Sequence, residues 1–224
     1  MHVLLFDIDG TLILSGGAGK SALEEALELE FDIGAIIPGV SYSGRTDLAI
    51  ARDLLELHGV EPTNANLDRL LKSYLRVLPD SLVRHQGQVL PGVRDLLNKI
   101  KQTSNCILGL LTGNIHEGAR HKLSHFDLWH YFGIGNFADG FTDRDDIARS
   151  ARAQMNLKVG REIPDNHIWI IGDTPFDVKC AKAIGARSIA VATGWHSPQE
   201  LARAGADQLF SDLSNTAMIM RLWS

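Results

Sequence analysis

Asp7-Ile8-Asp9-Gly10-Thr11-Leu12 follows directly on the apolar run Val3-Leu4-Leu5-Phe6, and the reading of this junction decides the fold. Four consecutive apolar residues read as a short buried strand. If the strand continued, Asp7 and Asp9, two positions apart, would share one face of the sheet. Gly10 ends that regularity, because glycine reaches backbone angles that other residues avoid. The junction therefore predicts two carboxylates held at a strand tip where the chain turns sharply. Such a pair can divide labour, one acting as nucleophile and the other as general acid and base. Asp-x-Asp-Gly also occurs in ordinary turns and in calcium loops, but the calcium loop needs Gly at its sixth position and Glu at its twelfth. Counted from Asp7, Gly10 comes too early and the twelfth residue is Ala18, which excludes that reading.

Working outward, the strand gives way to the flexible segment Ser15-Gly16-Gly17-Ala18-Gly19 and then to helical texture over Lys20 to Phe31, Asp47 to His58 and Asn66 to Val77. Leu48, Ile50, Ala51, Leu54 and Leu55 recur at helical spacing and form an apolar stripe. No strand pattern interrupts this region before about Gly87. Pro91-Gly92 then introduces a helix over Val93 to Ile100, followed by the apolar run Cys106 to Leu111. Further apolar strands are expected at His167 to Ile171 and Ser188 to Ala192, and a short one near Asp207 to Phe210 before a terminal helix. Near-continuous apolar strands alternating with helices argue for a parallel sheet covered on both faces. The expected architecture is α/β: a Rossmann-like core formed by residues 1–15 and 88–224, with a small all-helical cap inserted as residues 16–87.

Two later segments carry chemistry in the same way as the first. Leu111-Thr112-Gly113-Asn114 places a hydroxyl and a free backbone N–H at a strand tip ahead of a helix, which suits an oxyanion. The plain alternative is that Thr112 or Asn114 caps the helix that follows. Ile170-Ile171-Gly172-Asp173-Thr174-Pro175-Phe176-Asp177 ends an apolar strand in Asp173, with Pro175 suited to the first turn of a helix. Asp173 either caps that helix or joins Asp7 at the carboxyl edge of the sheet, where ligand sites of α/β proteins collect. Clustered carboxylates repel one another without a cation, and oxygen-only ligation suits Mg²⁺.

Asp7 to Leu12 resembles the first motif of the haloacid dehalogenase superfamily, whose members are mostly phosphatases. The Thr112 segment resembles its second motif and the Gly172-Asp173 segment its acidic fourth. The resemblance spans essentially the whole chain, is strongest to phosphoglycolate phosphatase-like members, and implies an insertion after the first strand that closes over the active site. It implies a Mg²⁺-dependent phosphomonoesterase working through an aspartyl-phosphate. Asp7 is then the nucleophile and Asp9 the acid and base. Asp7, the backbone carbonyl of Asp9, and Asp173 hold the metal, with Asp177 supporting its shell. Thr112, Gly113 and Asn114 bind phosphate. The family usually supplies a Lys as phosphate-binding cation before the acidic strand. Here Phe141-Thr142-Asp143-Arg144-Asp145-Asp146-Ile147 stands in that place, and Arg144 is the best-placed cation, with Arg149, Arg152 and Lys158 as rivals. In the cap, Gly44-Arg45-Thr46-Asp47 resembles a substrate-selecting loop, with Arg45 meeting a substrate carboxylate or second phosphate and Thr46 as a plain helix cap.

The net charge of −5 gives no electrostatic reason to expect DNA or RNA as partner. No apolar stretch approaches the roughly 20 residues of a membrane span. Cys106 and Cys180 lie in apolar segments without metal-ligand spacing and read as reduced core residues, which fits a cytoplasmic protein. Because the first strand carries the expected nucleophile, no signal peptide is expected. Other motifs fail on spacing: Leu14 stands where a P-loop before Gly19-Lys20-Ser21 needs Gly, and His121 misses the zincin pattern after His116-Glu117 by one residue. A small phosphorylated metabolite is the expected substrate. A phosphomutase of the β-phosphoglucomutase type shares these catalytic elements, and a non-catalytic binding protein could retain the same fold.

Overall fold

The computed structural model describes residues 1–223. Six parallel strands form one sheet in the order β5-β4-β1-β6-β7-β8. They are β1 (His2–Phe6), β4 (Cys106–Leu111), β5 (Ile134–Asn136), β6 (Ile168–Gly172), β7 (Arg187–Val191) and β8 (Gln208–Phe210). β1 is central, paired with β4 on one side and β6 on the other, so that Phe6 stands level with Leu110 and Ile171. The chain order reverses across β1, and the carboxyl ends of parallel strands at such a switch point form a natural crevice. Asp7, Thr112 and Asp173 each follow the last residue of one of these three strands, so the register alone brings them together.

Burial on both faces explains why these strands read as unbroken apolar runs. Leu4, Phe6, Trp169, Ile171, Ile189 and Val191 enter one apolar cluster with helix α4 (Val93–Lys101). Val3, Leu5, Ile168 and Ile170 enter the other with α6 (Arg144–Val159) and α7 (Pro175–Ala183). Helix α5 (His116–His125) follows β4, and α8 (Pro198–Ala204) and α9 (Thr216–Met220) complete the layers.

Between β1 and α4 three helices, α1 (Ala18–Phe31), α2 (Asp47–Leu57) and α3 (Asn64–Arg84), pack around an apolar cluster of their own. They enter and leave through a two-stranded antiparallel ribbon, β2 (Ile13–Leu14) with β3 (Gln88–Val89). That ribbon was not expected; two residues per strand are too few to show alternation. α3 is also longer than its sequence suggests and runs through Pro79. Proline lacks an N–H and normally ends a helix. Here Leu67, Leu70, Tyr74, Leu78 and Leu82 carry one buried stripe past it, and tertiary packing outweighs the local cost. The edge strand β5, Ile-Gly-Asn, was likewise not expected, being both short and half polar.

Candidate active site

The turn after β1 is built around Gly10, whose φ of +81° lies in the left-handed region that glycine tolerates. A side chain here would also strike Asp173, since a Cβ would fall 2.3 Å from its Oδ2. The close approach of this turn to Asp173 is therefore available to glycine alone. Thr11 Oγ1 donates to Asp173 Oδ1 at 3.0 Å, and Thr193 Oγ1 donates to the Gly10 carbonyl at 2.5 Å, locking the turn against the far loops.

Asp7, Asp173 and Asp177 are all buried, and each offers a carboxylate oxygen within 4.8 Å of the others. Asp177 accepts from the Thr174 N–H at 3.0 Å and the Thr174 hydroxyl at 2.7 Å, completing a capping box on α7. The cap of that helix is thus Thr174, which leaves Asp173 facing the cluster. Arg144, buried at the first turn of α6, pairs with Asp177 and lies 3.4 Å from Asp7 Oδ2. Burial pushes the Asp7 carboxyl up to about 6 despite Arg144, with Asp177 adding to the rise. Asp173 is raised well above the usual carboxylate range by burial and then by Asp177 and Asp7. Three clustered buried carboxylates, two of them paired with a single guanidinium, carry more negative charge than the interior tolerates unaided. An all-oxygen donor set with excess negative charge fits a hard divalent cation such as Mg²⁺.

Asp9 is not part of this cluster; its side chain turns the other way. Its carboxylate accepts from Lys122 Nζ at 2.6 Å, from Asn114 Nδ2 at 2.9 Å and from the Ser15 hydroxyl at 3.4 Å. Burial alone would raise its pKa, but Lys122 and these hydrogen bonds override burial and hold Asp9 below the usual carboxylate range.

The expected phosphate-binding loop lies beside Asp7. Thr112 Oγ1 accepts from Asn114 Nδ2 at 2.8 Å and from the Asn114 N–H at 3.3 Å. Neither residue caps α5, whose first residue is preceded by Ile115 with no side-chain cap of its own. No protein partner for the Gly113 N–H occurs among the described residues. Of the candidate cations only Arg144 reaches the cluster. Arg149 pairs with Asp146 at 2.6 Å, Arg152 with Asp165 at 2.5 Å, and Lys158 donates to the Gly133 carbonyl at 3.1 Å.

Arg45 lines a cavity that Asp7, Thr112 and Asp173 also line, from the side of helices α1–α3, where it pairs with Asp53 at 2.5 Å. Thr46 caps α2 by accepting from the Ala49 N–H at 3.1 Å, as the plain reading expected. Two site residues were not anticipated, Lys122 and Asp47. A signal for Lys122 existed: with Gly118, Ala119 and Leu123 it lies on the buried face of α5, where a lysine needs a partner. For Asp47 no signal existed, because its partner belongs to a different part of the chain.

The model of the haloacid dehalogenase-like hydrolase family matches residues 4–191, and the chain belongs to that family. It is thus a hydrolytic enzyme of the haloacid dehalogenase type. In sequence it is similar to phosphoglycolate phosphatase of Synechococcus elongatus, 27% identical over 215 residues, covering 96% of this chain and 95% of that one. Phosphoglycolate phosphatase of Photorhabdus laumondii is 22% identical, with 96% and 92% covered. In fold it is similar to CbbY of Rhodobacter sphaeroides in complex with phosphate, with a TM-score of 0.77 at 17% identity and 96% of each chain covered. Among the described residues no helix is long and apolar enough to cross a membrane.

Proposed function

We propose that this chain is a Mg²⁺-dependent phosphatase of small phosphomonoesters, acting through an aspartyl-phosphate on Asp7. One observation carries the reading: Asp7 sits at the tip of the central strand between a free N–H and hydroxyl on one side and Asp173 on the other, with Arg144 against it. An acidic group alone would repel a phosphate; here Arg144, the Gly113 N–H and the Thr112 hydroxyl stand beside Asp7 to meet the phosphoryl oxygens.

An Asp7 carboxylate oxygen attacks phosphorus in line with the ester oxygen, forming the O–P bond as the P–O bond to the leaving group breaks. Asp9, an anion at rest beside Lys122, takes up the proton that a phosphate monoanion brings and passes it to the departing alkoxide. It then takes one from the water that attacks phosphorus and releases inorganic phosphate from Asp7. Thr112, the Gly113 N–H and Arg144 neutralise charge on the remaining phosphoryl oxygens. Asp7, the Asp9 carbonyl and Asp173 would hold Mg²⁺, with Asp177 supporting the shell and bridging to Arg144. Bound there, the cation offsets the repulsion between carboxylate and phosphate.

Residues 16–87 act as the cap of a core formed by 1–15 and 88–224, closing a cavity of about 820 Å³ over the site. That size, with Arg45 and Lys20 in its lining, suits a small phosphorylated metabolite with a second anionic group, phosphoglycolate being the model. The protein acts in the cytoplasm, with both cysteines reduced; Cys180 is buried and Cys106 partly so.

The experiment is a panel of phosphomonoesters, 2-phosphoglycolate, sugar phosphates, nucleotides and an aryl phosphate, with and without Mg²⁺ and with Asp7→Asn as control. Mg²⁺-dependent release of phosphate, lost in the variant, is expected, and Arg45→Ala should reorder the substrates. Turnover that survives Asp7→Asn would overturn the scheme. A hexose phosphate isomerised without phosphate release would point instead to the mutase.

A further inference from the structure

We propose that Asp47, a residue of the cap, is a positioning residue for the phosphate-binding loop: seated on the core, it completes the N-terminus of α5 and fixes the Thr112-Gly113-Asn114 turn. The proposal rests on reading that turn as the phosphate cradle. Its starting point is a gap in the core. α5 begins with Ile115 as its cap residue, and Ile115 has no side-chain oxygen to accept the unpaired N–H groups of a first helical turn. The core supplies one partner, Asp139, whose Oδ2 accepts from the His116 N–H at 2.7 Å. The other comes from the cap: Asp47 Oδ2 accepts from the Ile115 N–H at 2.9 Å.

Asp47 also grips the turn from its other side. Its own N–H donates to the Gly113 carbonyl at 2.7 Å. The Gly113–Asn114 peptide and the Ile115 N–H are thus held by one cap residue through two bonds, one to each. The fit is tight: a Cβ on Gly113 would fall 2.2 Å from the Arg45 carbonyl, so the cap rests directly on glycine backbone. The neighbouring Thr46, buried, donates to the Thr142 carbonyl at 3.2 Å, two residues before Arg144. One cap tripeptide therefore touches both segments expected to grip the phosphoryl oxygens.

A carboxylate at the first position of α2 would ordinarily serve its own helix dipole. Here Asp47 Oδ2 serves another helix, in another part of the chain. The consequence is that opening the cap removes the partner of the Ile115 N–H and frees the Gly113 carbonyl together. The cradle is then complete only when the cap is shut, which ties phosphate gripping to enclosure of the substrate.

The test compares Asp47→Ala and Asp47→Asn with the parent chain by three readouts. These are amide exchange over residues 112–118, inhibition by inorganic phosphate, and kcat and KM for an aryl phosphate. Asn keeps an oxygen able to accept from Ile115 and should behave nearly as the parent. Ala should speed exchange at Ile115 about fivefold to tenfold, the effect of losing a helix cap, while β6 amides stay as protected as before. It should also weaken phosphate inhibition several-fold and lower kcat more than it raises KM. Unchanged exchange at Ile115, or faster exchange with phosphate inhibition intact, would overturn the proposal. If the parent hydrolyses no phosphomonoester, the phosphatase reading fails by itself; exchange and phosphate binding still decide whether Asp47 positions the loop.

Discussion

Lys122 Nζ lies 2.6 Å from the Asp9 carboxylate and 2.6 Å from Asn114 Oδ1, so a buried ammonium joins the expected acid and base to the expected phosphate loop. Burial would lower the lysine's pKa, but Asp9 and then Asp47 outweigh it and keep it protonated. Asp9 is accordingly an anion in this arrangement, the form that accepts a proton from attacking water.

Removing that ammonium should therefore disturb proton transfer, at a smaller cost to the fold than loss of a fully buried pair, because the Asp9 side chain is partly exposed and keeps its bonds from Asn114 and Ser15. In Lys122→Met the burial of Asp9 is opposed only by its hydrogen bonds from Asn114 and Ser15, and its pKa rises. The base form then disappears at higher pH than in the parent. The acid limb of kcat/KM against pH should move upward, and kcat should fall by about a hundredfold, the lower end of the usual range for acid–base assistance. A pH–rate profile superimposable on the parent's would show that Lys122 merely fills space.

The cluster of Asp7, Asp173 and Asp177 predicts a pH-dependent stability that metal reverses. Asp7 rises to about 6 on folding, against about 4 in an unfolded chain. A raised carboxyl favours the fold while protonated, so its contribution is full below about pH 4 and is lost as pH climbs through 6. Asp173 is raised in the same direction. In EDTA the melting temperature should therefore decline between pH 5 and 7.5. Mg²⁺ binds the deprotonated carboxylates and should raise the melting temperature at pH 7.5 more than at pH 5. Thermal unfolding at the two pH values, with Asp7→Asn as reference, measures it; an equal Mg²⁺ effect at both would count against a carboxylate metal site.

The strength and limit of the sequence lie in the same physics. Strand tips β1, β4 and β6 were legible because doubly buried parallel strands leave unbroken apolar runs, and each run ends in a polar residue that no core would accept. Those ends mark Asp7, Thr112 and Asp173. The ribbon β2–β3 and the edge strand β5 were not legible, because two or three residues carry no period. Lys122 and Asp47 were obscured for another reason. Their partners, Asp9 and Ile115, lie 113 and 68 residues away in sequence. Local pattern can say that a buried lysine needs an anion, but only the folded chain says which.

Gly113→Ala tests how closely the cap must approach. The added methyl would fall 2.2 Å from the Arg45 carbonyl, which is backbone and cannot swing aside. The cap must then stand off, losing the bond from the Asp47 N–H to the Gly113 carbonyl. Most of the core is untouched, so the melting temperature should change little, while KM for a phosphomonoester rises about tenfold. Small-angle scattering should report a more extended particle. A variant with parent KM and parent dimensions would mean that the closed arrangement is not the one used in turnover.

Arg144 offers the sharpest separation between charge and geometry. Its guanidinium pairs with Asp177 and stands 3.4 Å from Asp7, so it serves two carboxylates at once. Arg144→Ala leaves both without their contacting cation in a buried site, and such losses are costly to the fold. It should lower the melting temperature in EDTA and reduce kcat by about a hundredfold to a thousandfold, as expected when a group stabilising transition-state charge is removed. Arg144→Lys restores the charge but not the planar fork that reaches Asp7 and Asp177 together. It should recover most of the stability and only part of the turnover. Lysine restoring both in full would show that charge alone is required here, and that the arginine at this position does the work of the lysine that the family resemblance implies.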